Sequence, residues 1–254
     1  MLRLLGVIKM KKITVLILLV SAVLLSGCQS FDIRIGNQET IVGSSNTVNK
    51  EMDFEDFDSL SLSHHFEVIV IYGDNYNIEL TYSEEVEDML EVSTRSNTLN
   101  LGLSNDYKYQ DVIVKAVVTM PQLKKIKGSG ASSFDIDDQM SYTDHVTIEL
   151  SGSSNVEALI TTKFIDINIS GASMVYLTGQ SNKADFNLSG SSIISAEKFE
   201  TTDLDLDASG SSSVNIKVSD KIEASLSGGS TLRYSGNARI TEEDTSGSSR
   251  IIKQ

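Results

Sequence analysis

A chain of 254 residues is long enough for one large domain or two small ones. Its 35 Asp and Glu against 21 Lys and Arg give a formal net charge of −14, which argues against nucleic-acid binding because phosphate recognition needs clustered positive charge. One Cys excludes an intramolecular disulfide and a Cys-based zinc cluster, and three His leave little for His-based catalysis.

The first residues have the features of an export signal. Three lysines within 9–12 precede an apolar run, 13–25, which is too short to span a bilayer comfortably. The run ends in Leu-Ser-Gly followed by Cys28, which resembles a bacterial lipobox. We therefore predict that 1–27 is a lipoprotein signal peptide, with Met10 as a plausible true start, and that the protein is exported and lipid-anchored at Cys28 in the bacterial cell envelope. The alternative is an ordinary buried Cys in an uncleaved helix.

A polar segment follows the predicted lipidation site. Residues 28–52 carry scattered Gly and Asn among isolated apolar residues, and we predict a tether. Removal of the signal peptide takes away four positive charges and no acid, so 17 Lys and Arg remain against 35 Asp and Glu. Anionic headgroups would repel such a surface, so we expect the lipid to hold the protein on the membrane.

The segment 53–125 is predicted to be a β-rich, non-repetitive N-terminal part of the domain. Residues 67–72 and 77–82 flank a Gly-Asp-Asn turn and are typical of a hairpin. A short helix is predicted over 83–90, with Ser83 as its N-cap. Two further strands are predicted over 98–103 and 111–120, before the only Pro, Pro121.

The segment 126–254 contains a repeat, Ser-Gly-(Ser/Ala/Gly)-Ser, in seven copies. Apolar residues recur six, four and two positions before the glycine and four after it, a period of two that predicts strands with one buried face. Strands that return every 19 or so residues, with no room for helices, predict an all-β fold: a parallel β-helix of about seven coils. The repeat glycines are Gly130, Gly152, Gly171, Gly190, Gly210, Gly228 and Gly247.

Three features of the repeat carry structural predictions. The glycine is expected at a corner where a side chain would clash or φ must be unusual. The serine two residues later is present in all seven copies and is expected to form a ladder that hydrogen-bonds coil to coil. The last copy is polar at its upstream inward positions, which predicts a terminal cap; these residues are Thr241, Glu243 and Thr245.

The order of these features resembles a known family. Phe66-Glu67-Val68 precedes a Gly-Asp turn, a later strand ends in Thr119-Met120-Pro121-Gln122-Leu123, and the serial SGSS-type repeats follow. Together they resemble the GIN domain family of autotransporter adhesin heads over roughly 54–240. The resemblance implies a secreted or lipid-anchored bacterial protein with a right-handed β-helix, and it attaches no catalytic residues that could be transferred to this chain.

Outward positions of the repeat carry a column of acids. Coils stacked in register would place carboxylates about 4.8 Å apart, and such neighbours repel. One interpretation is that Ca²⁺ lies between the coils, because it prefers carboxylate and amide oxygens. The other, which we favour, is a solvated acidic face. The candidate metal ligands are Asp166, Asp185, Asp205, Glu223, Glu242 and Asp207.

The same face offers polar side chains for a hydroxyl-rich ligand such as a glycan, although it lacks aromatic platforms. The candidate ligand face comprises Asn168, Asn187, Ser170, Ser189 and Ser209.

No catalytic motif stands out among the residues. The three His are His64, His65 and His145, and the adjacent His64 and His65 would point to opposite faces of a strand, so they could not act as a pair. We therefore predict a non-enzymatic cell-envelope lipoprotein that acts as a surface binding, adhesin-like or structural module. Its expected partners are the membrane, through the lipid, and a glycan or surface protein, with no nucleic acid. The alternative is a polysaccharide-acting β-helix enzyme that uses acidic residues; it predicts one coil that breaks the repeat beside a cleft.

Overall fold

Nearly all of the regular structure is β-strand. The computed structural model describes residues 38–137, 140 and 142–254. These residues form twenty strands and a short 3₁₀ helix, Glu84–Met89. In chain order the strands are β1 Thr40–Val42, β2 Thr47–Met52, β3 Ser59–Leu62, β4 Glu67–Tyr72, β5 Asn77–Ser83, β6 Leu90–Arg95, β7 Thr98–Leu103, β8 Lys108–Gln110, β9 Val114–Met120, β10 Leu123–Gly128, β11 Ser133–Ile136, β12 Tyr142–Leu150, β13 Asn155–Thr161, β14 Phe164–Ile169, β15 Met174–Leu188, β16 Ile193–Ala208, β17 Ser213–Leu226, β18 Thr231–Ser235, β19 Arg239–Thr245 and β20 Arg250–Lys253.

The repeat builds two parallel sheets. Sheet A stacks β10, β12, β14, the second halves of β15 to β17, and β19. Sheet B stacks β11, β13, the first halves of β15 to β17, β18 and β20. Each Ser-Gly-x-Ser turn carries the chain from sheet A to sheet B. The prediction of a parallel β-solenoid of about seven coils is confirmed.

The interior is a set of apolar columns that run through the coils. Position four before each repeat glycine is buried in six successive coils. In the last coil the inward positions Glu243 and Thr245 are exposed, so polar side chains terminate the column there. The buried column consists of Ile126, Ile148, Ile167, Phe186, Leu206 and Ala224.

The corner turns explain the repeat glycine and serine. All seven glycines have φ between 71° and 78°, a region that L side chains rarely adopt. The residue that follows each repeat glycine donates its N–H to the coil before it. The acceptor is the carbonyl of the residue at the glycine position there; Ser153 N, for example, donates to Gly130 O at 2.7 Å. The serine two residues after the glycine instead bonds within its own turn: Ser192 Oγ donates to Ser189 O at 2.8 Å. The prediction of a coil-to-coil serine side-chain ladder is therefore wrong, because the backbone already joins the coils.

The solenoid extends into the segment predicted to be non-repetitive. Strands β3 and β4 form a coil that pairs in parallel with β10 and β11. On its other side β3 pairs with β7 and β4 pairs with β9, both in parallel. His64 takes the glycine position of the β3–β4 turn, with φ of 65°. The boundary predicted at residue 125 therefore does not separate two architectures.

The predicted hairpin does not form. Strand β9 lies between β4 and β5, parallel to the first and antiparallel to the second. Its inward residues alternate along the strand and are buried, so it contributes a full layer to the core. The predicted helix is the 3₁₀ helix, and Ser83 does not cap it: its Oγ accepts from Ile113 N at 2.9 Å.

The predicted tether is too long. Strand β2 pairs antiparallel with β5, and its Val48 and Met52 pack against the core. Strand β1 pairs with β8. The tether prediction for 28–52 is therefore wrong for 40–42 and 47–52. The predicted signal peptide and Cys28 lie outside the described residues.

We found no apolar helix of membrane-spanning length within the described part of the chain.

Candidate functional site

The acidic column predicted on sheet A lies in register. Asp166 pairs with Asp185, Asp185 with Asp205, and Asp205 with Glu223 in successive coils. Glu223 pairs in turn with Glu242 of the last coil. Asp207 follows Asp205 by two residues on the same face of the strand, so it belongs to the neighbouring outward column. The sheet therefore brings like charges together along its length.

Three of the six candidate metal ligands contact polar groups of the protein. His145 Nε2 lies 2.6 Å from Asp166 Oδ2, and Lys221 Nζ lies 2.5 Å from Glu223 Oε1. Asn187 Nδ2 donates to Asp185 Oδ1 at 3.0 Å. Within 38–137, 140 and 142–254, no group of three or more His, Cys, Asp or Glu side chains could hold a metal ion. Calcium binding between coils stays a prediction, and these contacts favour the solvated acidic face.

Repulsion within the column acts on Asp185. Partial burial raises the pKa of its carboxyl above the ordinary value, and the charges of Asp205 and Asp166 raise it further. A carboxyl whose pKa is raised by folding favours the folded state at low pH. That contribution is complete below the ordinary Asp pKa and is lost as the pH rises through the folded-state pKa.

We expect Asp185→Asn to raise the melting temperature by about 1–3 °C at pH 7, because it removes a charge that lies between those of Asp166 and Asp205. The gain should disappear at pH 3, where the wild-type carboxyl is protonated. Thermal unfolding followed by circular dichroism at both pH values measures this difference. Asp106→Asn is the matched control, since it removes one exposed loop charge. If both variants raise the melting temperature equally at pH 7, the effect comes from the change in net charge alone.

The candidate ligand face lines a groove. The groove has a volume of about 460 Å³ and follows sheet A across five coils, which span roughly 19 Å at the usual strand spacing. All five predicted residues, Asn168, Asn187, Ser170, Ser189 and Ser209, lie in its lining. One wall is an exposed column of amides, carboxylates and hydroxyls, and a parallel column of serines adjoins it. The other polar members of the lining are Asp207, Ser225, Asp244, Ser227 and Ser246.

His64 and His65 share one turn, whereas His145 lies in another coil. His64 belongs to the β3–β4 turn, where its Nδ1 lies 3.1 Å from Ser63 Oγ and accepts from Leu103 N at 3.3 Å. Burial lowers the pKa of His64, and neighbouring His65 lowers it further. His145 lies on β12, two coils away, beside Phe164. None of these contacts joins a His to an Asp or Glu of the groove wall.

The family relation follows from the sequence as well as the fold. A profile of the family described as "Putative auto-transporter adhesin, head GIN domain" matches residues 56–238. The chain belongs to this GIN domain family. The resemblance seen in the sequence is thereby confirmed. A search of curated proteins found no match.

Solved structures with a similar fold include three from Bacteroides and Parabacteroides. A putative adhesin from Bacteroides fragilis shares 19% identity with a TM-score of 0.78, covering 84% of this chain and all of that one. A putative adhesin from Parabacteroides merdae shares 18% identity with a TM-score of 0.66, covering 85% of this chain and 99% of that one. A putative lipid binding protein from Parabacteroides distasonis shares 19% identity with a TM-score of 0.69, over 85% and 100% of the two chains. At these identities the likeness shows the fold alone.

Proposed function

We propose that this protein is a non-enzymatic, adhesin-like module of the bacterial cell envelope and that the sheet A groove is its contact surface for glycans. The observation that carries the proposal is the groove itself: five coils present the same kinds of polar side chain in register over about 19 Å. The description of the GIN family as adhesin heads supports this proposal.

The chemistry of the groove suits hydroxyl-rich ligands. Asn168 and Asn187 offer both donors and acceptors, whereas Asp207 and Asp244 offer only acceptors. The repeated serines can serve as either donor or acceptor. Because the stacked sheet already fixes the backbone of the groove, the protein loses little backbone conformational entropy when an extended ligand binds.

A repeated surface argues for binding rather than catalysis. Catalysis requires acid and base groups in different environments at one place, whereas the groove repeats similar groups in every coil. The alternative function, a polysaccharide-acting enzyme, predicts one coil that breaks the repeat beside a cleft. Sheet B has such an interruption, between Ala196 and Glu200, so the enzyme stays the second candidate.

The proposal includes a lipid anchor at Cys28. We expect Cys28→Ser to abolish incorporation of an alkyne-tagged fatty acid and to move the protein from the membrane fraction to the soluble fraction, because the only thiol of the chain is lost. Ser30→Ala, placed just after the lipobox, is the control and should leave labelling unchanged. Continued labelling of Cys28→Ser would contradict the anchor.

The groove can be tested by filling it. The full chain, purified in detergent, is applied to an array of defined oligosaccharides and polysaccharides. We expect binding that falls at least tenfold in Asn187→Trp, because the exposed position tolerates a large side chain that blocks the groove. Thr202→Trp, also exposed but outside the groove lining, should bind as the wild type does.

Three results would contradict the proposal. If the protein binds no saccharide on the array, it is not a glycan-binding protein. If both Trp variants lose binding equally, the groove is not the binding surface. Release of new reducing ends from a bound polysaccharide would instead support the enzyme.

A further inference from the structure

A second cavity lies on sheet B, away from the columns of the groove. Its volume is about 450 Å³. Its lining includes one exposed aromatic ring, a hydroxyl and four charged side chains: Tyr176, Ser195, Asp135, Glu157, Glu197 and Lys198.

An interruption of the repeat forms one side of this cavity. Tyr176 pairs with Ser195, but two residues later Thr178 pairs with Lys198, so β16 carries one additional residue. The pairing of β16 with β17 shifts at the same place, between Ala196 and Glu200. Bulges of this kind redirect side chains and are common beside functional sites. Here the exposed side chains in the irregular stretch are Glu197 and Lys198.

Tyr176 lies at the centre of the lining. Its side chain is 44% exposed, and the neighbouring strands place Glu157 on one side of it and Ser195 on the other. Asp135 follows Glu157 in the next coil. Within the described part of the chain, Glu157, Glu197 and Lys198 form no ion pair. The polar groups around the ring are therefore available to a ligand.

We propose that this cavity binds a neutral or amino-sugar pyranose. The apolar C–H face of the sugar would stack on the Tyr176 ring, while its hydroxyls bond to Glu157, Ser195 and Lys198. Three carboxylates against one ammonium give the lining a net charge of −2. This charge repels sulfated, sialylated and uronic saccharides and favours the ammonium of an amino sugar.

The inference goes beyond the proposed function, because it assigns a separate site of different chemistry. The groove offers repeated amides and hydroxyls to an extended chain, whereas the cavity offers one aromatic platform to a single ring. The two sites share no lining residue, so a variant in one leaves the other intact.

Two tyrosines provide a matched test. Tyr72 lies on β4 with 41% of its side chain exposed, close to the value for Tyr176, but outside the cavity. On an array of neutral, amino, sialylated and sulfated saccharides, Asn187→Trp should weaken the signals that depend on the groove. A second set of signals, from neutral or amino sugars, should persist in Asn187→Trp. These signals should fall at least tenfold in Tyr176→Ala and persist in Tyr72→Ala. Glu157→Gln should weaken amino-sugar binding more than neutral-sugar binding.

Several outcomes would overturn the site. If Tyr72→Ala and Tyr176→Ala lose the same signals, the cavity is not the binding site. If sulfated or sialylated saccharides alone depend on Tyr176, the charge argument is wrong. If every saccharide signal is lost in Asn187→Trp, only the groove binds. If no signal falls in Asn187→Trp while neutral or amino-sugar signals still fall in Tyr176→Ala, the proposed function is contradicted and the cavity is supported.

Discussion

Gly228→Ala is expected to destabilise the solenoid by about 3 kcal/mol, which corresponds to a fall in melting temperature of roughly 6–12 °C. The corner holds Gly228 at φ of 74°, which costs a residue with a Cβ about 1–2 kcal/mol. A Cβ would also stand 2.5 Å from the carbonyl oxygen of Gly210 in the preceding coil. That oxygen accepts from Gly229 N at 2.7 Å, so the clash is relieved only at the expense of the coil-to-coil bond.

The next residue in the same turn is the control. A Cβ on Gly229 would meet its nearest atom at 3.7 Å, an ordinary contact, and its φ is not in the left-handed region. Gly229→Ala should therefore leave stability unchanged or raise it by about 0.4–1 kcal/mol, because it restricts the unfolded chain. Urea and thermal unfolding followed by circular dichroism measure both variants. Similar losses in the two would contradict a specific role for the corner glycine.

Phe186→Ala is expected to cost about 3–5 kcal/mol, the usual range for removal of a buried aromatic ring. Phe186 is fully buried in the apolar column and lies in register between Ile167 and Leu206 of the adjacent coils. Because each coil contacts its neighbours directly, the cavity would weaken two coil interfaces at once. Urea unfolding gives the loss in free energy.

Phe164 provides the comparison on the same sheet. Phe164 is 47% exposed, so Phe164→Ala should cost clearly less than Phe186→Ala, about 1 kcal/mol. A loss at Phe164 as large as that at Phe186 would mean that the inward and outward faces of sheet A were assigned wrongly.

The repeat made the main body of the fold predictable. Apolar residues at a period of two determine which side chains face inward, and the even spacing of the glycines aligns successive coils. The in-register column from Asp166 to Glu242 and the apolar column through Phe186 both follow from counting along the sequence. Right-handedness stays an expectation.

The N-terminal coils were not predictable in the same way. Strand β9 separates β4 from β5, although only a short turn joins those two strands in the sequence. Local patterns predict that a segment is a strand but do not determine its distant partner. The β3–β4 coil has His64 where later coils have glycine, so it lacks the motif that identifies the other turns.

Of the two candidate sites, the groove was predictable from the sequence and the sheet B cavity was not. The groove follows from the repeat, because outward residues at equivalent positions stack into its walls. The sheet B cavity depends on a bulge near Glu197, and a bulge shifts the register without leaving a motif. The available signal was Tyr176, an aromatic residue at an outward position in the first, alternating part of β15.

The most direct test of the groove observes its amides. In the ¹⁵N-labelled chain, the side-chain NH₂ resonances of Asn168 and Asn187 are followed by NMR during titration with the saccharide that depends on the groove in the array experiment. Our account predicts that both resonances shift and saturate together, since both side chains line the groove. Unchanged Asn168 and Asn187 resonances, with saturating shifts elsewhere in the protein, would contradict it.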